Sequence, residues 1–351
     1  MPPAQKVRAK RMSIIFPDRF SKERFHPGAA PLRVAVLIPC YNEAAAIGQV
    51  VRDFRAALPE AEIFVYDNNS SDDTAAIARQ AGAIVRTEPR QGKGYVVRRM
   101  FADVEADVFV MVDGDDTYDA AAARFMVDKM LEDGLDIVNG VRVARSGTAY
   151  RPGHAFGNRM LSGLVRSIFG RGATDMLSGY RVFSRRFVKT FPMMSRGFEI
   201  ETELTIHALE LQMPAGEVRC NFKDRPDGSE SKLNSIRDGV RILFTITKLL
   251  KQERPLPVFV ATACLLALAS LGLAAPVISE YLATGLVPRL PTAVLSASVM
   301  ILAFLMGAVG LILDTVTRGR QELKRMHYLS VPGVLSEMKS AQPSGPRSLS
   351  N

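Results

Sequence analysis

Short apolar runs alternating with helical repeats constrain this chain most. Residues 33–38 (RVAVLI), 62–66 (EIFVY), 83–85, 107–112 (DVFVMV) and 136–141 (DIVNGV) have the β-branched, apolar character of buried strands. Residues 44–58, 72–81, 94–103 and 120–132 lie between them with helical spacing, marked in the first by Ile47, Val50, Val51, Phe54 and Leu58. This alternation predicts an α/β fold, a mostly parallel sheet with helices on both faces. In such sheets ligands gather beyond the carboxyl ends of the strands. The polar clusters fall there: Tyr41-Asn42-Glu43 after the first run, Asp67-Asn68-Asn69 after the second and Asp113-Gly114-Asp115 after the fourth.

Two longer apolar runs, 256–278 and 292–313, follow this pattern, and the second carries no charge. Each is long enough to cross a bilayer core of about 30 Å as a helix, so two transmembrane helices are expected. Lys248, Lys251 and Arg254 precede the pair, and Arg318, Arg320, Lys324 and Arg325 follow it. The positive-inside rule then puts the sheet body and both termini on the cytoplasmic side, with an inner (cytoplasmic) membrane the expected location. Residues 234–252 mix Ile236, Val240, Leu243, Phe244 and Leu250 with Arg237, Arg241, Lys248 and Lys251. That pattern suits a helix lying in the lipid interface or packed on the body. The expected division is a basic tail (1–31), a catalytic domain (32–233), a juxtamembrane amphipathic helix (234–254), two spans (255–316) and a basic tail (317–351).

The net charge of +9 is concentrated at the N-terminus and beside the spans, which favours an anionic membrane surface. Nucleic acid is disfavoured, because no groove-reading motif or aromatic interleaving accompanies the charge. The N-terminus lacks the apolar core of a secretory signal. Three scattered cysteines form neither a disulfide framework nor a zinc pattern.

Asp113 and Asp115, separated by one glycine, can hold Mg²⁺ or Mn²⁺ while leaving coordination positions for diphosphate oxygens and water. Asp67 at a strand end can accept from a base imino group or a ribose hydroxyl, while Ser71 or Asp72 caps the next helix. The turn Arg90-Gln91-Gly92-Lys93-Gly94 lacks the GxxxxGK[ST] pattern of a phosphate loop, so it is a surface turn unless Lys93 meets a nucleotide or sugar. Residues 225–233 place Arg225, Ser231 and Lys232 around a Gly/Ser turn able to close over phosphates. Glu199, Glu201 and Glu203 open a helix, where carboxylates are favoured electrostatically. His154 and His207 are isolated and read as structural.

In this order, Ile38-Pro39-Cys40-Tyr41-Asn42-Glu43, Asp67-Asn68-Asn69-Ser70, Gly92-Lys93-Gly94, Asp113-Gly114-Asp115, Ser178-Gly179-Tyr180-Arg181, Gly197-Phe198-Glu199 and Arg225 through Lys232 resemble family 2 glycosyltransferases. The resemblance is to dolichol- or polyprenyl-phosphate sugar synthases, over about residues 33–250. It implies a GT-A (Rossmann-like) fold and an inverting transfer from a UDP- or GDP-linked nucleotide sugar to a polyprenyl phosphate. It further implies that Pro39, Tyr41, Glu43, Asp67, Asn69 and Lys93 line the nucleotide sugar. Asp113 and Asp115 would meet metal and diphosphate. Asp115, Arg181, Arg225, Ser231 and Lys232 would handle the reacting phosphates, with Asp175 as a helper. The resemblance also implies a homo-oligomer assembled through the spans and juxtamembrane helices. A phosphate monoester acceptor needs no general base, since its second pKa is about 6.

Two rival readings remain. A processive polysaccharide synthase would carry a Gln-x-x-Arg-Trp motif, and this chain has no tryptophan. A non-catalytic anchored module that binds nucleotide sugar or scaffolds a complex would have no need of the Asp113/Asp115 pair.

Overall fold

The computed structural model describes residues 32–144, 163, 174–195, 197, 199–226 and 255–334. The expected N-terminal tail, the juxtamembrane helix, His154, Ser231 and Lys232 lie outside them.

The strands begin where the apolar runs do. β1 (Val34–Cys40), β2 (Glu62–Asp67), β3 (Ile84–Thr87), β4 (Val108–Met111) and β5 (Ile137–Ala144) alternate with α1 (Ile47–Ala57), α2 (Thr74–Gln80), α3 (Lys93–Asp103) and α4 (Ala122–Asp133). Beyond these come β6 (Arg181–Ser184), α5 (Arg185–Thr190), α6 (Ile200–Glu210) and β7 (Ala215–Phe222). The seven strands form one sheet in the order β3-β2-β1-β4-β6-β5-β7. β1 pairs in parallel with β2 and β4, β2 with β3, and β5 with β7. β6 runs antiparallel between β4 and β5, so the sheet is mostly parallel but mixed.

Strand side chains alternate between two apolar layers. Val34, Val36 and Ile38 of β1 join Val108 and Val110 of β4 beneath α1 and α4. Ala35, Leu37, Phe109 and Met111 face the other way, toward α3, α5 and α6. α4 stops at Gly134, whose φ of 63° is the left-handed conformation that closes a helix without side-chain strain.

The C-terminal helices are α7 (Pro255–Thr284) and α8 (Leu290–Ser330), both long and apolar enough to cross a membrane. Ser296, Ala303, Gly310 and Thr317 are the buried seam of α8, spaced by seven. Ser270 Oγ of α7 donates to the Ser296 carbonyl at 2.7 Å. Most of the large apolar side chains face outward, Leu268 and Phe304 being 70% and 75% exposed. α8 does not end with the apolar run: it continues as helix to Ser330, into the segment expected to be a cytoplasmic tail, and returns to the sheet body.

Candidate active site

The site forms where three loops leave the carboxyl edge of the sheet. Asn42, Asn69 and Asp116 all adopt positive φ (53°, 60° and 55°), so each loop turns sharply just past its strand. The first two loops are stitched together. Asn42 N–H donates to Ser70 Oγ at 2.9 Å, Ser71 N–H to Asn42 Oδ1 at 2.7 Å and Glu43 N–H to Thr74 Oγ1 at 2.8 Å. Tyr41 is exposed, Pro39 half-buried and Glu43 buried within this corner.

Asp67 is buried at the end of β2. Its Oδ2 accepts the Ser70 N–H at 3.3 Å, while Oδ1 is buried without a hydrogen-bond partner. A buried acceptor left open is costly unless a ligand donor completes it. Asn68 is turned inward: its amide donates to the Glu88 and Arg90 carbonyls at 2.9 and 2.7 Å, and its carbonyl accepts the Gly92 N–H at 2.7 Å. Position 68 therefore latches the glycine-rich turn, a task needing both donor and acceptor. Asn69 is exposed and donates to the Pro89 carbonyl at 2.5 Å.

Gly92 has φ 136° and opens α3, which projects Lys93 into the site. Lys93 Nζ lies 2.5 Å from Asp113 Oδ1 and also pairs with Glu201. It is thus a buried hub and not a surface turn. Burial works against its charge, but Asp113 and Glu201 outweigh burial and hold the ammonium above the ordinary lysine range. Asp115 Oδ1 accepts from Thr117 Oγ1 at 2.6 Å, and its Oδ2 pairs with Arg225 Nη2 at 2.5 Å. Arg225 Nη1 also stands 3.7 Å from Glu43 Oε1. Burial and then the neighbouring Asp113 charge push the Asp115 carboxyl up, against the pull of Arg225.

These residues suit a divalent cation. Among the described residues no group of three or more His, Cys, Asp or Glu side chains converges on one point. Among the described residues Asp113, its side chain 29% exposed, and Asp115, buried beside it, are the carboxylates placed to receive a cation. Their mutual repulsion would be relieved by a cation whose other ligands come from substrate and water, the usual pattern for Mg²⁺.

Gly179 makes room for this pair. A Cβ there would stand 2.5 Å from Asp113 Cγ. Its neighbour Arg181 corrects an expectation. It is wholly buried on β6 and donates to the Ser178 and Met176 carbonyls and to Thr205 Oγ1 at 3.0, 2.6 and 2.9 Å. With no surface it cannot touch a phosphate, and it ties β6 to α6 instead. Asp175 is also internal, forked to Arg142 by two bonds of 2.7 Å. From sequence Glu201 was read only as one of three carboxylates opening a helix, not as a partner of Lys93. The signal was present, because Glu199, Glu201 and Glu203 alternate with apolar or small residues on a helix too buried to leave all three in solvent.

The model of the family "Glycosyl transferase family 2" matches residues 35–191. Glycosyltransferase AglJ of Haloferax volcanii is 33% identical over 303 residues, covering 85% of this chain and 99% of that one. The chain belongs to glycosyl transferase family 2. A dolichyl-phosphate hexose transferase of Haloferax volcanii is 29% identical over 222 residues, 63% of this chain and 95% of its own. Among solved structures, glucosyl-3-phosphoglycerate synthase from Mycobacterium tuberculosis, in complex with Mn²⁺, UDP-glucose and glycerol 3-phosphate, superposes with a TM-score of 0.50. It is 22% identical and covers 63% of this chain and 79% of that one, a likeness of fold.

Proposed function

We propose that this chain transfers a sugar, with inversion, from a UDP-sugar or GDP-mannose to a polyprenyl phosphate in the inner membrane, held there by α7 and α8. The observation that carries the reading is the convergence of Asp113, Asp115, Lys93, Glu43 and Arg225 at one sheet edge, in a chain that also bears two long outward-facing apolar helices. The similarity to a protein named dolichyl-phosphate hexose transferase supports the acceptor class.

Pro39, Tyr41, Glu43, Asp67 and Asn69 would surround the nucleoside, with the open Oδ1 of Asp67 accepting from base or ribose. Asp113 and Asp115 would hold Mg²⁺ or Mn²⁺, which when bound offsets charge on the departing diphosphate. Lys93 and Arg225 add fixed positive charge at the same place. An anionic phosphate oxygen of the acceptor forms the new bond to the anomeric carbon, the bond to the donor diphosphate breaks, and the nucleoside diphosphate leaves with the electron pair. The acceptor is already ionised at neutral pH, so no side chain need remove a proton. Orientation of two anions is then the main task, one that Arg225 and, beyond the described residues, Ser231 and Lys232 would share.

The second reading is an anchored module that binds nucleotide sugar without turning it over. Asp115→Ala separates the two. The enzyme reading expects transfer to fall by about two orders of magnitude or more while the body stays folded. A variant that keeps wild-type behaviour in every assay would support the module.

A further inference from the structure

The end of α8 grips the catalytic body at the sheet edge opposite the site. Lys324 Nζ pairs with both carboxylate oxygens of Glu210 at 2.8 Å, and Arg325 donates to the Leu211 carbonyl at 3.3 Å. One turn on, the Tyr328 ring is buried, and its hydroxyl donates to Asp136 Oδ2 at 2.6 Å. Asp136 is 1% exposed and also accepts from Ser184 Oγ at 2.7 Å and from Arg186 at 3.1 and 2.7 Å. The Arg186 guanidinium lies 4.3 Å above the Tyr328 ring. Val334 follows into the core layer beneath α1 and α4.

A buried carboxylate with three side-chain donors, one of them from a helix 192 residues away in sequence, is costly to assemble and specific once assembled. α8 is one unbroken helix, so this grip is rigidly joined to its apolar part. Tyr328 stands about 21 Å along the axis from Asp314, where the apolar run ends. α6 links the grip to the chemistry, with Glu210 and Leu211 held by α8 at one end and Glu201 beside Lys93 at the other.

We infer that the extension of α8 is a clasp that fixes the pose of the catalytic body on the membrane helices, and that Lys324 and Tyr328 are positioning residues for transfer to a membrane-borne acceptor. The inference rests on the reading of α7 and α8 as membrane spans and of the acceptor as a lipid. A water-soluble donor can arrive from any direction. A lipid phosphate is confined to the interface, so its approach to the donor depends on how the body is held.

The test uses the full chain in lipid vesicles, in a Cys264→Ser background with one dye-labelled cysteine at the exposed position Glu62 and headgroup-labelled lipid as energy-transfer partner. Lys324→Glu, Glu210→Lys, their double swap and Tyr328→Phe are compared. Dye–bilayer distance, Mn²⁺-dependent binding of UDP and GDP, and sugar transfer to undecaprenyl phosphate are measured. Each single charge reversal is expected to change the distance and cut transfer about tenfold or more, with nucleotide binding within about twofold of wild type, and the double swap to restore both. Tyr328→Phe keeps the ring packed and should move both readouts in the same direction by less. Unchanged distance and transfer in the single variants would overturn the clasp, as would failure of the swap to rescue or a parallel loss of nucleotide binding. If the wild type transfers to no lipid while distance still follows the variants, the acceptor reading fails and the pose-fixing role stands.

Discussion

A methyl group at position 179 would stand 2.5 Å from Asp113 Cγ and 2.7 Å from its Oδ1, so the acidic pair depends on the absence of a side chain there. Gly179→Ala should lower transfer about a hundredfold, because a displacement of about 1 Å at the reacting groups has that effect, while the melting temperature changes little. His207 makes folding stability depend on pH. Burial, with a smaller contribution from Lys324, pushes its pKa down to about 3 from 6.5, and neither ring nitrogen has a partner. Below pH 6.5 the unfolded chain takes up a proton that the folded chain refuses, so stability falls as pH drops from 6.5 toward 3 and is level above 6.5. His207→Leu should remove about 1.4 kcal/mol per pH unit from that slope, measured by denaturation of the full chain in detergent across the range. At this scale the sequence showed which residues are charged but not which are covered. Asp113, Asp115 and Glu43 were expected together because each follows a strand end, and the structure brings them near Arg225. Arg181 was misread because a guanidinium on a short strand looks like a ligand group until its burial is known. Lys93 was undervalued because its partner Glu201 is 108 residues away.

Elements were legible where periodicity was clean. The runs that became β1 through β4 alternate with helices whose buried faces were countable from the sequence. β6 and β7 were not assigned beforehand. β6 has four residues and begins with a buried arginine, and β7 (AGEVRCNF) mixes charged and apolar residues without a continuous apolar run. Their place in the sheet comes from long-range pairing, with β5 finding β7 in register from Ile137↔Ala215 to Ala144↔Phe222. The helical hairpin carries its own prediction. A Cβ at Gly310 would meet Phe259 Cβ at 2.7 Å, so α7 and α8 touch through the absence of a side chain. Gly310→Val should separate the helices and cost about 1–3 kcal/mol, read as a lower melting temperature in detergent. A cysteine pair replacing Ser270 and Ser296 should cross-link in the parent and lose that cross-link with valine at 310.

For the whole molecule, the division into a sheet body and two apolar helices was visible from composition along the chain. The return of α8 to the body was not, because Tyr328 and Lys324 find partners on β5's leading edge and α6, far away in sequence. That return ties the sheet body to the two apolar helices through Lys324 with Glu210 and Tyr328 with Asp136. We propose that the sugar ends on a lipid phosphate. This is tested by giving the purified full chain Mn²⁺, a panel of radiolabelled UDP-sugars and GDP-mannose, and undecaprenyl phosphate in competition with a water-soluble phosphate monoester, then partitioning the products. Label is expected in the organic phase, dependent on the metal and abolished by Asp115→Ala. Label confined to the aqueous phase on the small phosphate, or no transfer from any donor, would contradict the proposal.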